Sequence, residues 1–273
     1  MKIVVFLLSM CCMSVANATD TYSFGIVPQQ SAKVLARKWT PLLRYLEQET
    51  GYRIQFATAK NIPTFEARLA KGEYDMAYMN PYHFVHYHQE SGYQALAKQK
   101  DKKIRGIIVV HKNSEIASLT DLNGLELAFP SPAAFAASII PRATLNNNGI
   151  NIGTRYVSSH DSVYMNVAKG FFPAGGGVIR TFESVSPLIR DELKVIWTSE
   201  GFTSHAIARK AELDKTVYQA VLTALLALNS AEDKQSILKA INFKGFEAAE
   251  NSLWNDVRAL NIASMSIHKA LEN

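Results

Sequence analysis

Tyr78, Asn80 and Tyr82 close the segment Gly72-Glu-Tyr-Asp-Met-Ala-Tyr-Met-Asn-Pro-Tyr82, offering two hydroxyls and an amide with no charge. Such groups hold a ligand by hydrogen bonds and supply no strong base. Asp75 to Met79 reads as a buried strand. Pro81 lacks a backbone N–H and keeps Asn80 out of helical geometry, so the strand stops there. Ligands of open α/β sheets sit outside the carboxyl ends of strands, which would turn the three residues toward a crevice. The alternative is a strand end followed by a helix packed through its aromatics. Taken alone, the segment fits that simpler arrangement better.

Other strand ends repeat the theme. Gln29 and Gln30 follow a first strand, Tyr22 to Val27. Phe129-Pro130-Ser131-Pro132-Ala133-Ala134-Phe135-Ala136 precedes a helix, whose free N–H groups and dipole attract an anion. Ser158-Ser159-His160-Asp161 opens another helix the same way, although Ser159 or Asp161 also suits a plain cap. Arg180-Thr181, after the strand Gly175 to Ile179, offers a fork suited to an oxyanion or, equally, an exposed charge at a helix start.

Catalysis finds less support. His160 and Asp161 are adjacent, so their side chains diverge and form no relay. The chain contains no Gly-x-Ser-x-Gly elbow, P-loop or His-Glu-x-x-His motif. His83, His86, His88 and His111 repeat no known metal spacing and read as surface histidines, the first three on an aromatic helix. No catalytic residue, metal or cofactor is assigned.

Strands and helices alternate in two cycles. Ser31 caps a helix carrying Leu35, Trp39, Leu42, Leu43 and Leu46 on one face, ended by Gly51, with Pro41 expected to kink or divide it. Ile54 to Ala59 and Ile107 to Val110 read as strands, the latter apolar enough to be covered on both faces. A second cycle runs from Leu125 to Thr198, and a mostly helical tail follows Asp214. Alternation of this kind predicts parallel sheets in an α/β fold of two lobes: 19–110 with 205–273, and 111–204. The crossings are expected near His111 to Ser114 and Thr198 to Ser204.

The first eighteen residues stand apart. Lys2, an apolar run from Ile3 to Leu8, a softer stretch and Ala16-Asn17-Ala18 form the pattern of a secretory signal peptide cleaved before Thr19. Both cysteines, Cys11 and Cys12, fall inside it, so the remainder has no disulfide or thiolate chemistry. Leu8-Ser9-Met10-Cys11 faintly resembles a lipoprotein signal, with Met10 too large for the position. Net charge is +5, scattered and mildly favourable to anions, and no aromatic-interleaved platform for nucleic acid is present. Lys98 to Arg105 is the densest basic stretch and reads as a solvated loop.

Phe24-Gly-Ile-Val-Pro28, Phe65-x-x-x-Leu69-x-x-Gly72-x-x-Asp75, Asn80-Pro81-Tyr82, Ser159-His160-Asp161-Ser162 and Val195-Ile-Trp-Thr-Ser199 occur in this order. Together they resemble the periplasmic binding proteins of phosphonate, phosphite and phosphate ABC transporters, from Tyr22 to about Leu260. The resemblance implies a two-lobed type II binding fold with the ligand cleft between lobes, a periplasmic address and a monomer. It also implies a small anionic ligand and an ABC permease as partner. A sensor subunit for a membrane histidine kinase or cyclase is the alternative, and a periplasmic hydrolase a weaker one. Carried over by position, His160 matches the family's ligand-binding histidine and Tyr82 a pocket tyrosine. The family's Ser-Thr-Ser turn is replaced by Ala134-Phe135-Ala136, with Ser131 and Ser138 nearby, and an acidic residue that serves an amino group by His205. These departures imply a compact oxyanion or an unusual organic acid, not an aminoalkylphosphonate.

Overall fold

The computed structural model describes residues 20–260. The leader-like segment with its cleavage point and cysteines lies outside the described residues.

Local sequence sets the first helix. The Ser31 hydroxyl accepts from the Val34 N–H at the start of α1 (Ala32–Thr50), and Gly51 closes it in the left-handed region. Pro41 does not divide α1, because the buried stripe continues on both sides of it. Asn61 caps α2 (Ile62–Ala70) and Asn80 caps α3 (Pro81–Glu90).

In chain order the strands are β1 (Thr21–Ile26), β2 (Arg53–Ala57), β3 (Met76–Met79), β4 (Gln94–Gln99), β5 (Lys103–Ile104) and β6 (Gly106–His111). There follow β7 (Glu126–Phe129), β8 (Gly153–Tyr156), β9 (Ala174–Val178), β10 (Leu193–Thr198), β11 (Phe202–Thr203), β12 (Ala206–Arg209) and β13 (Phe246–Ala248). They form a six-stranded sheet of order β13-β4-β12-β3-β1-β2 and a five-stranded sheet of order β10-β6-β9-β7-β8. Each sheet with its helices makes one lobe of a mixed α/β fold.

The sheets are mixed, not parallel. β1 runs parallel to β2 and β3, and β7 to β8 and β9, as helical crossovers require. β6 and β12 run antiparallel to β9 and β3. Both are strands by which the chain arrives from the other lobe, so no crossover helix fixes their direction.

The first crossing also differs from the expected place. Gly106–His111 pairs with β9 and β10, so these residues belong to the second sheet. The chain therefore crosses before Gly106 and not at His111 to Ser114. Ile107 and Val109 pack in one cluster with Val163 and Val167, Ile108 and Val110 in another with Phe129 and Leu145. A strand covered on both faces looks the same in either lobe, which is why periodicity did not assign it. At the crossings β5 and β11 pair with each other, and the Ser199 hydroxyl accepts from the Gly106 N–H at 2.9 Å. Lys98 to Arg105 is thus no free loop: it holds the end of β4 and all of β5.

Two devices position the strand ends. Asp75 accepts from the Ser23 N–H and hydroxyl at 2.8 and 2.7 Å, fixing β3 beside β1. In the second lobe, a Cβ on Gly106 or Gly176 would strike the carbonyls of Ala136 and Ala137. Their absence lets the π-helical turn Phe135–Ile139, which precedes α4 (Ile140–Asn147), lie directly on β6 and β9.

Candidate functional site

The ends of β1 and β3 meet the Phe135–Ile139 turn, the start of α5 (His160–Ala168) and the start of α6 (Ile179–Ser184) across the gap between sheets. Four hydrogen bonds join the lobes there. Asn80 Nδ2 donates to the Ala133 carbonyl at 3.1 Å, and the His160 N–H to the Gln29 carbonyl at 3.2 Å. Arg180 donates to Gln29 Oε1, and Gln30 Nε2 to Asp161 Oδ1 at 3.5 Å.

Between them lies a cavity whose space for the centre of a water molecule is about 10 Å³. That holds about one water. Gln29, Asn80, His160 and His205 are its polar lining, and Ala134, Phe135, Ala136 and Ala137 supply the turn. Phe135 stands edge-on to Phe202, at 5.5 Å between ring centres. No Asp or Glu lines the cavity.

His160 is held from behind. Its Nδ1 lies 3.1 Å from Thr181 Oγ1, which in turn lies 2.8 Å from the Tyr164 hydroxyl and 3.0 Å from the Val178 carbonyl. Tyr164 donates to that carbonyl at 3.1 Å, so Thr181 either donates to it as well and accepts from Nδ1–H, or leaves it to Tyr164 and donates to Nδ1. In the second arrangement Nε2 carries the proton; in the first it is an acceptor. Nε2 is buried without a partner, as are the hydroxyls of Ser131, Ser138 and Ser204. Burial, and secondarily Arg180, hold the His160 imidazole down to about 3, so it is neutral at neutral pH.

His205 lies before β12 with its ring stacked on Tyr78 at 4.9 Å. The Gln29 amide lies 3.1 Å from His205 Nε2, and its oxygen faces Arg180, so the amide donates to a neutral imidazole. Burial and then Arg180 keep His205 well below the usual histidine value.

Arg180 is half-buried, and Tyr78, Arg180 and His205 also line a second cavity of about 120 Å³ beside the first. Its other polar lining is Gln99, Lys102, Lys103, Arg105 and Ser204. The basic stretch is solvated, with Lys103 and Arg105 exposed, and it also edges this cavity; its sign, immediately ahead of a crossing, was the available signal.

Four sequence-predicted site residues, Gln30, Tyr82, Ser131 and Thr181, line neither cavity, and His83 departs from its reading as a surface histidine. Tyr82 lines neither cavity; it stacks on His86, one helical turn away, at 5.8 Å. Gln30 bridges Lys38 and Asp161 and does not line either space. His83 is no surface histidine: it is fully buried, with Nε2 2.8 Å from Glu66. Among the described residues no group of three or more His, Cys, Asp or Glu is placed to hold a metal, and no helix is long and apolar enough to cross a membrane.

The phosphate-import protein PhnD of Mycolicibacterium smegmatis is 21% identical over 90% of this chain and 82% of its own. PhnD1 of Prochlorococcus marinus, solved with methylphosphonate, superposes with a TM-score of 0.81 at 19% identity, covering 89% of this chain and 98% of its own. A binding component of a phosphonate ABC transporter from Pseudomonas aeruginosa gives 0.83 at 17% identity, over 93% and 89%. The model of the phosphonate periplasmic substrate-binding proteins of ABC transporters matches residues 24–254. This chain belongs to that family of periplasmic substrate-binding proteins.

Proposed function

We propose that this protein captures a compact phosphorus oxyanion, such as phosphate, phosphite or a small alkylphosphonate, between its lobes and delivers it unchanged to an ABC permease. The observation that carries the reading is His160 Nε2, buried and unpartnered at the cavity between the sheets. A buried polar nitrogen left open costs free energy unless a ligand takes its hydrogen bond. With Thr181 donating to Nδ1, the arrangement this proposal takes, neutral His160 presents its Nε2–H to an oxyanion. The relatives named for phosphate import and for methylphosphonate support the ligand class.

Closed, the cavity admits about one water. The lobes must therefore part to admit a ligand, with β5 and β11 at the crossings as the hinge. Gln29, Asn80, Arg180 and Asp161, now bonded across the gap, release one another as they do so. An aminoalkylphosphonate finds no carboxylate in either cavity for its ammonium group. Finding no nucleophile paired with a base in the lining, we read the protein as a binder without turnover.

Titration calorimetry with phosphate, phosphite, methylphosphonate and 2-aminoethylphosphonate tests this. One site per chain is expected for at least one of the first three, with weak or no binding of the last. At a hundredfold excess over Kd the ligand should stabilise the fold by ~2.7 kcal/mol. Phosphorus NMR should show the ligand unchanged. Submicromolar 2-aminoethylphosphonate, or turnover lost in His160→Ala, overturns the reading. Export belongs to the same proposal: N-terminal sequencing of secreted protein should begin at Thr19, and an acylated Cys11 would contradict it.

A further inference from the structure

We propose that the preferred ligand carries a second anionic group, a carboxylate or another phosphoryl group on a short linker, seated in the 120 Å³ cavity beside the oxyanion site. This rests on the reading of the first cavity as the oxyanion site.

The second cavity is lined by Lys102, Lys103, Arg105 and Arg180 and by no Asp or Glu. Their existing partners leave most of that charge unanswered. Arg105 donates to the Ser199 carbonyl and Arg180 to the Gln29 amide oxygen, both neutral acceptors. Lys102 has no hydrogen-bond or ion-pair partner among the described residues. Lys103 alone meets a carboxylate, Asp256 at 3.3 Å. Three of these four cations lack a carboxylate partner, and although water screens the exposed Lys103 and Arg105, an anion placed among them is attracted by the net positive charge.

An independent observation points the same way. Ser204 is 5% exposed, lines this cavity, and its hydroxyl has no partner. A hydroxyl among cations is suited to donate to an oxyanion that the cations attract.

The two spaces are neighbours, sharing Ile104, Val178 and His205 as walls. A ligand whose phosphoryl head faces His160 can pass beside the neutral His205 ring and place its other end among the cations. Every group met on that path is apolar, neutral or positive. The charge of the tail is therefore what this chain selects.

Calorimetry with methylphosphonate, propylphosphonate, 3-phosphonopropionate and ethylenediphosphonate provides the test. One or both doubly anionic ligands should bind at least tenfold tighter than propylphosphonate, and which of them does so separates a carboxylate from a phosphoryl tail. Lys102→Gln changes a half-exposed residue with no partner. It should reduce that advantage severalfold while methylphosphonate binding stays within twofold, which also shows the variant to be folded. If methylphosphonate binds but neither doubly anionic ligand exceeds propylphosphonate, the second-anion proposal fails and the oxyanion site stands. The second-anion proposal fails equally if Lys102→Gln leaves the advantage intact. If no ligand of the four binds, both fail.

Discussion

The two walls of the central cavity treat their polar groups in opposite ways. On the first lobe's side, Asn80 accepts from the His83 N–H at 2.7 Å and donates to Ala133, and Gln29 is engaged at both ends of its amide. On the second lobe's side, His160 Nε2 is buried with nothing to bond, and the Ser131 and Ser138 hydroxyls, equally open, lie in the same lobe outside the cavity lining. Fully engaged groups hold elements in place, whereas open ones are available to a ligand. On the function proposed above, the first lobe is the positioning wall and latch, the second the wall that recognises.

The largest test of that contrast is His160→Ala. Removing a hydrogen bond to a charged ligand costs ~1.5–3 kcal/mol, roughly ten- to a hundredfold in affinity. Calorimetry with the best-bound oxyanion should show that loss with the melting temperature of the free protein little lowered. An unchanged Kd would dissolve the distinction between the walls.

Acid should expose the histidines on both walls. The folded protein holds His160 at about 3, against an ordinary 6.5, and depresses His205 in the same direction. Between those values the unfolded chain binds protons that the folded one refuses, so stability falls as pH falls and is fully present above about 6.5. Each histidine contributes a slope of up to about 1.4 kcal/mol per pH unit. Melting temperature should drop from pH 7 to 5, before most carboxylates titrate, and His160→Gln should flatten the decline by about half. A melting temperature flat across that range means the cavity is open to water.

Asn80→Ala removes a helix cap and a latch together. The expected cost is about 1–2 kcal/mol of stability, seen as a few degrees in melting temperature, with affinity changed less than in His160→Ala. The reverse ranking would make Asn80 the recognising group. Tyr82→Phe should do least: its hydroxyl belongs to a ring stacked on His86 that lines neither cavity, so Kd should stay within twofold. A tenfold loss would bring α3 into the site.

Sequence alone determined what neighbours within a few residues can satisfy. Ser31 and Gly51 bound α1, Asn80-Pro81 stops β3, and the Ile107–Val110 run makes a strand buried on both faces. Such features depend on backbone groups that find partners, or lose them, close by in the chain. The partner of a strand is not of this kind. Val109 pairs with Gly175 and Val195, far away in sequence, so only the assembled sheets decided that β6 belongs to the second lobe. The same limit governed the site. His160 was legible from its place at a helix start, but its open Nε2 depends on Thr181, twenty-one residues on. Tyr82 lines neither cavity because helical periodicity turns it toward His86, and the start of α3 fixes that phase. Lys102, Lys103 and Arg105 read as a solvated run, and Lys103 and Arg105 are exposed, but charge along a chain carries no record of what faces it. Folding brought Arg180 and Ser204 opposite them, and a scattered surplus of positive charge became the wall of a cavity.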